Sequence, residues 1–73
     1  MSRWDKVFKE YREKNNYTKE QLSEKLEIST RTLQRIENRE NNPSIKTLKK
    51  LINILNISDS DIAYIIKNEL IDN

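Results

Sequence analysis

Apolar residues recur along this chain at spacings of three and four, and a hydroxyl residue stands before each apolar stretch. Side chains at i, i+3, i+4 and i+7 share one face of a helix, so the pattern predicts amphipathic helices. Five helices are expected, over about 3–15, 19–26, 30–38, 45–55 and 59–70, which makes the fold all-α. Their expected N-cap residues are Ser2, Thr18, Ser29, Ser44 and Ser58.

Two of these caps are expected to be reciprocal. Thr18 is followed three residues later by Gln21, the usual capping box, and Ser58 is followed by the shorter Asp61. The apolar stripes define the expected core, with Ile28 as a staple before helix 3. The other residues expected in it are Trp4, Val7, Phe8, Tyr11, Leu22, Leu26, Leu33, Ile36, Ile45, Leu48, Leu51, Ile52, Leu55, Ile62, Ile65, Ile66 and Leu70.

Composition narrows the function classes. The chain has 73 residues with no Cys and no His, so a single small domain over residues 1–73 is expected. Disulfides, Cys or His zinc sites and His-activated nucleophiles are excluded. The carboxylates are scattered among Lys and Arg, and we expect no enzyme activity, metal, cofactor or small-molecule ligand. The sequence also has no long apolar run and no basic-then-apolar leader, so we expect a cytoplasmic protein without a membrane segment.

The third helix has an unusual polar face. Leu33 and Ile36 share its apolar side, and the opposite side has Thr30, Arg31, Gln34, Arg35 and Asn38. Arg and Gln fit the edges of guanine and adenine in the DNA major groove, although any solvated helix face can also collect them. The net charge is +5 over residues 1–50 and −3 over residues 51–73, which would orient the N-terminal part toward a polyanion.

Only Glu27 and Ile28 separate helix 2 from the Ser29 cap, so the chain turns sharply while both helices bury apolar residues. This arrangement is a helix-turn-helix motif. The sequence resembles the helix-turn-helix domain of the phage repressor and Cro family, also called the Xre family, from about Arg12 to Ser58. The matching features are Leu22, Ser23, Leu26, Ile28, Ser29, Leu33, the run Arg35-Ile36-Glu37, the loop Asn42-Pro43-Ser44 and the stripe from Leu51 to Leu55.

The resemblance implies a compact five-helix bundle of the lambda-repressor type and a transcriptional regulator, most often a repressor, that binds a palindromic operator in double-stranded DNA as a homodimer. Helix 3 would be the recognition helix. Its base-reading residues would be Thr30, Arg31, Gln34 and Arg35, with Thr30 facing a base or a phosphate. The residues contacting phosphates would be Thr18, Lys19, Asn38, Arg39, Asn41, Asn42 and Lys46.

The resemblance also implies an ion pair between Arg12 and Glu37 that orients helix 3, expected to be partly exposed and to contribute about 0 to 1 kcal/mol. The chain departs from the family at three positions. Glu27 replaces a Gly in the turn, and Lys19 replaces a Gln that can reach adenine. Arg39 replaces a Gly after helix 3, where an Asn in a left-handed C-cap, Asn38 or a later one, is expected to compensate.

Dimerisation is assigned to apolar residues outside the core stripes. Ile54, Tyr64 and Ile71 lie on the opposite sides of helices 4 and 5 and could form a two-fold interface, or they could be single exposed apolar side chains. Two other functions stay open. The chain could bind a protein partner, for instance as an antitoxin, or it could be the DNA-binding fragment of a longer regulator.

Overall fold

The computed structural model describes residues 4–67, without the side chain of Trp4. This part of the chain contains five helices and no strand: α1 (Trp4–Lys14), α2 (Lys19–Leu26), α3 (Thr30–Glu37), α4 (Ile45–Leu55) and α5 (Asp59–Ile65). The all-α prediction is therefore confirmed. Helix α3 ends one residue earlier than expected, with Asn38 as its C-cap. The proposed cap Ser2 and the core residue Leu70 lie outside the described residues.

The core forms where the apolar stripes meet. Its fully or almost fully buried members are Phe8, Leu22, Leu26, Leu33, Ile36, Leu48, Leu51, Leu55, Ile57 and Ile65. Val7, Tyr11, Ile28, Ile52 and Ile62 pack against them and are partly buried, as is Tyr17. Ile57 and Tyr17 were not predicted in the core because both lie in connections, where helical periodicity gives no signal.

The prediction that Ile45 lies in the core is wrong. Its side chain is 69% exposed. Ile45 is the first residue of α4, and helical side chains tilt toward the N-terminus, so this one projects past the helix end. It also lies at the edge of the stripe, about 70° around the helix from the centre of the four following core positions.

Hydroxyl caps begin four of the helices. Thr18 accepts a hydrogen bond from the backbone N–H of Gln21 at 3.0 Å, and Gln21 Oε1 accepts from the backbone N–H of Thr18 at 2.9 Å. This is the expected capping box. Ser29 and Ser44 accept from the N–H groups of Thr32 and Thr47.

The Ser58 cap differs from its prediction. Ser58 Oγ accepts from the N–H of Asp61 at 3.2 Å, but the N–H of Ser58 donates to the hydroxyl of Tyr11, also at 3.2 Å. Tyr11 then donates to Asp61 Oδ2 at 2.6 Å. The Asp61 side chain is one methylene shorter than the Glu of a usual capping box. The Tyr11 hydroxyl, from α1, therefore lies between the Ser58 N–H and the Asp61 carboxylate. This bridge links α1 to the N-terminus of α5, the first and last helices of the described chain.

After the ends of α1 to α4, a residue other than glycine adopts the left-handed backbone conformation. Positive φ angles occur at Asn16, Glu27, Arg39 and Asn56 in the described chain. The expectation of a left-handed Asn after α3 is wrong: Asn38 has φ −95° and Arg39 has φ 66°. The chain reverses at Arg39 because its N–H bonds to the carbonyl of Ile36, and the next N–H, of Glu40, bonds to that of Arg35 at 2.8 Å.

Candidate nucleic-acid interface

The polar face of α3 is presented to solvent because its apolar face is fixed in the core. Leu33 is 0% exposed and Ile36 is 2% exposed. At helical spacing their burial turns Arg31, Gln34 and Arg35 outward, and all three side chains are exposed. Together with Asn38 and Glu40 they line one open surface depression. The structure thus groups three of the proposed base-reading residues on one surface.

Thr30 is held differently from these three. It is half-buried, and its Oγ1 shares a hydrogen bond of 3.1 Å with Ser23 Oγ. The Ser23 hydroxyl donates to the carbonyl of Glu20, so Thr30 is the donor to Ser23. Its hydroxyl therefore joins α2 to α3. A DNA contact from Thr30 stays a prediction.

The motif depends on a turn that places Glu27 in the left-handed region, with φ 61° and ψ 40°. This conformation is costly for a residue with a Cβ atom, and the family has glycine there. The exposed Glu27 carboxylate contacts Lys50 Nζ at 2.9 Å. The hydrogen bond and charge of Lys50, together with the charge of Lys46, hold the pKa of Glu27 below its ordinary value.

The ion pair between Arg12 and Glu37 has two contacts. Arg12 Nε donates to Glu37 Oε2 at 2.7 Å, and Nη2 donates to Oε1 at 3.2 Å. Nη1 donates to the carbonyl of Tyr17 at 3.0 Å. The expectation of a partly exposed pair is wrong, because the two side chains are only 9% and 3% exposed. Burial follows from the position of Glu37 beside Ile36, on the side of α3 that packs against α1.

The remaining residues assigned to phosphates lie at the start of α2 and after the end of α3. Thr18 and Lys19 begin α2, where the first N–H groups have no intrahelical acceptor, although the hydroxyl of Thr18 is occupied by its cap. Lys19 is half-buried. After α3, the exposed residues are Asn38, Arg39, Asn41, Asn42 and Lys46. The two groups therefore belong to different elements, and their contacts with phosphates stay predictions.

Glu40 was not among the site residues predicted from the sequence. It lines the same depression as Arg31 and Arg35, because the chain reverses at Arg39. The signal was available: a helix that stops without glycine can close with a left-handed residue, and the residue after that one is brought back toward the last turn. A negative charge is thus placed on a surface otherwise lined by cations and amides.

A helix-turn-helix family model matches residues 8–62 of the chain. This match covers most of the sequence, including all of α2, α3 and α4 and parts of α1 and α5. The chain belongs to the helix-turn-helix family of the phage repressor and Cro type. Members of this helix-turn-helix family are DNA-binding regulatory domains, and the family is not an enzymatic one. No curated protein and no solved structure shows significant similarity to the chain.

Two further observations concern the described residues of this helix-turn-helix domain. No helix within residues 4–67 has the length and apolar character needed to cross a bilayer. In the same part of the chain, no group of three or more acidic side chains is arranged to hold a metal ion.

The three residues assigned to a dimer interface are placed differently from one another. Ile54 is partly buried and packs against the core of its own chain. Tyr64 is 39% exposed. Ile71 lies outside the described residues. Only Tyr64 of the three is thus described as a large exposed apolar side chain, and the interface stays a prediction.

Proposed function

We propose that this protein is a sequence-specific regulator of transcription that reads double-stranded DNA with α3 in the major groove. The observation that carries the proposal is the outward face formed by Arg31, Gln34 and Arg35 on a helix whose other face is locked in the core. Arg pairs with the O6 and N7 of guanine and Gln with the N6 and N7 of adenine, each through two hydrogen bonds. Thr30 lies at the start of the same helix.

The contacts that position the protein surround this face. The N-terminus of α2, with Thr18 and Lys19, binds one phosphate through backbone N–H groups, the helix dipole and the Lys charge. The turn after α3 and the start of α4 bind the backbone on the other side of the groove. The residues on that side are Asn38, Arg39, Asn41, Asn42 and Lys46. Such contacts fix the register and carry no sequence information directly.

The proposal extends to a cytoplasmic homodimer that acts as a repressor on a palindromic operator. Two copies related by a two-fold axis would present two α3 helices to successive major grooves, about 34 to 36 Å apart. Tyr64 supports an interface on α5, since a large side chain that is 39% exposed can be covered by a second copy. Repression would follow if the occupied operator overlaps a promoter.

The deciding experiment is selection of bound sites from random double-stranded DNA with the full chain. A palindromic consensus with half-sites one helical turn apart is expected. A nonpalindromic consensus would remove the dimer but keep base reading. Failure to enrich any sequence, with binding that does not weaken as salt increases, would overturn the proposal and favour a protein-binding function.

A further inference from the structure

The exposed lysines of α1 lie beside the end of the recognition helix. Lys6 and Lys9 are three residues apart and share one side of α1. They line a surface depression with Asp5, Glu37 and Asn38. Asn38 also lines the depression that contains Arg31, Gln34 and Arg35. The two depressions therefore adjoin at Asn38 and form one continuous surface.

The Arg12–Glu37 ion pair explains this placement. The pair fixes α1 against the last turn of α3, with a separation of 2.7 Å between Arg12 Nε and Glu37 Oε2. Lys9 is three residues before Arg12, about 60° around α1, and Lys6 lies about another 60° around, so the two lysines leave the buried pair toward the exposed side of α1. A buried two-contact pair thus holds two exposed cations next to the DNA-facing helix.

The charges of Lys6 and Lys9 are available to a ligand. Both side chains are exposed. The Glu37 carboxylate beside them is already occupied by Arg12 at both oxygens. Neither lysine is in an ion pair with a carboxylate of residues 4–67. Asp5 lines the same depression but is only 4% exposed, whereas both lysines are exposed. Two exposed cations on one side of α1 suit an anion with spaced negative charges, as a nucleic-acid backbone has.

We propose that Lys6 and Lys9 extend the DNA-binding surface onto α1 and bind backbone phosphates flanking the bases that α3 reads. The proposal rests on the proposed function, because it takes DNA as the ligand of the adjoining surface. The two lysines add affinity to every sequence and do not discriminate among bases.

The test compares two double variants that remove the same charge. Lys6→Gln with Lys9→Gln is the test variant, and Lys14→Gln with Lys67→Gln is the control, since Lys14 and Lys67 are exposed and do not line either depression. Binding to the selected operator and to random duplex is measured over a range of salt concentrations. The plot of log K against log salt has a negative slope. If each lysine binds one phosphate, the slope of the test variant should be less steep by about 1.8, at about 0.9 per phosphate. The control should change it much less.

Duplexes with single neutral methylphosphonate linkages locate the contact. The unsubstituted protein should lose affinity when linkages flanking the α3 site are neutralised, and the test variant should lose nothing further at those linkages. Equal slopes for the test and control variants, or the same linkage profile for the test variant and the unsubstituted protein, would overturn the inference. If the unsubstituted protein itself shows no salt-dependent binding to DNA, the proposed function fails instead.

Discussion

Arg12 and Glu37 form a buried ion pair with two contacts that joins α1 to the last residue of α3. The pair removes two charges from water, so its net contribution to folding is small, yet the loss of either partner leaves a buried charge without compensation. We propose that the pair fixes the angle of α3 and keeps Glu37 away from the proposed DNA-binding surface. The buried charges affect the stability of the fold, and the orientation of α3 affects DNA binding, so substitutions can test the two effects separately.

Replacing one partner of this pair should be strongly destabilising. Glu37→Ala leaves the Arg12 guanidinium buried, and we expect a loss of about 3 to 5 kcal/mol in the free energy of unfolding measured with urea. Arg12→Met with Glu37→Leu should recover most of that loss, because apolar side chains fill the space without a charge. The double variant should still bind DNA less tightly than the unsubstituted chain. Full binding by a refolded double variant would show that the pair does not orient α3.

The base-reading residues and the phosphate-binding residues should behave differently when substituted. Arg31→Ala and Gln34→Ala should each reduce the preference for the selected operator over random DNA by about 1 to 3 kcal/mol, because a two-bond contact to one base is lost. Lys19→Ala should weaken binding to both DNAs equally. The three variants and the unsubstituted chain should have the same melting temperature, since these side chains are exposed or half-buried. Equal losses on both DNAs from every substitution would remove Arg31 and Gln34 as base readers.

The carboxylate of Glu40 should oppose DNA binding. Glu40 lines the depression together with Arg31 and Arg35, where its negative charge would repel the phosphates of bound DNA. Glu40→Gln keeps the shape and removes the charge, so it should raise the affinity for random DNA. Glu24→Gln, another exposed carboxylate, lies in a different depression and is the matched control. The comparison uses fluorescence anisotropy at low salt, and weaker binding by Glu40→Gln would instead indicate that Glu40 accepts a hydrogen bond from a cytosine amino group.

The Tyr11 hydroxyl should hold the N-terminus of α5. It accepts from the N–H of Ser58 and donates to Asp61, and Tyr11→Phe removes both bonds while the ring stays in place. We expect a loss of about 1 kcal/mol in the free energy of unfolding, because the network is partly accessible to water. Tyr17→Phe is the control, since its hydroxyl makes no hydrogen bond within residues 4–67. Equal stability of the two variants would show that water replaces the phenol at no cost.

Interactions between residues close in sequence could be predicted from spacing, whereas those between distant residues could not. The Thr18–Gln21 capping box and the stripe through Leu33 and Ile36 follow from spacing alone, and both are present. The Arg12–Glu37 pair came from the family resemblance, and its burial did not, because burial depends on how α1 packs on α3. The Tyr11 bridge to Asp61 joins residues 50 apart in sequence, a relationship that no local pattern contains.

The stability of the turn between α2 and α3 should increase when Glu27 is replaced by glycine, and it should depend on pH. Glu27 has φ 61°, which glycine adopts without a Cβ penalty, so Glu27→Gly should raise the melting temperature at neutral pH. Glu27→Gln keeps the unfavourable backbone conformation and loses the ion pair with Lys50, so it should lower the melting temperature slightly. Both variants lose the charge and only Glu27→Gly relieves the backbone conformation, so comparing them separates the two contributions to stability.

The pH dependence follows from the lowered pKa of Glu27, whose ordinary value is 4.5. A carboxyl group with a lower pKa in the folded state stabilises the fold above its unfolded-state pKa, and this stabilisation disappears as the pH falls through the folded-state pKa. The advantage of the unsubstituted chain over Glu27→Gln should therefore be present at pH 7 and should decrease as the pH is lowered below 4.5. Over the same range the advantage of Glu27→Gly should increase. Thermal melts by circular dichroism measure both differences, and a pH-independent gap between the unsubstituted chain and Glu27→Gln would show that the Lys50 contact does not stabilise the turn.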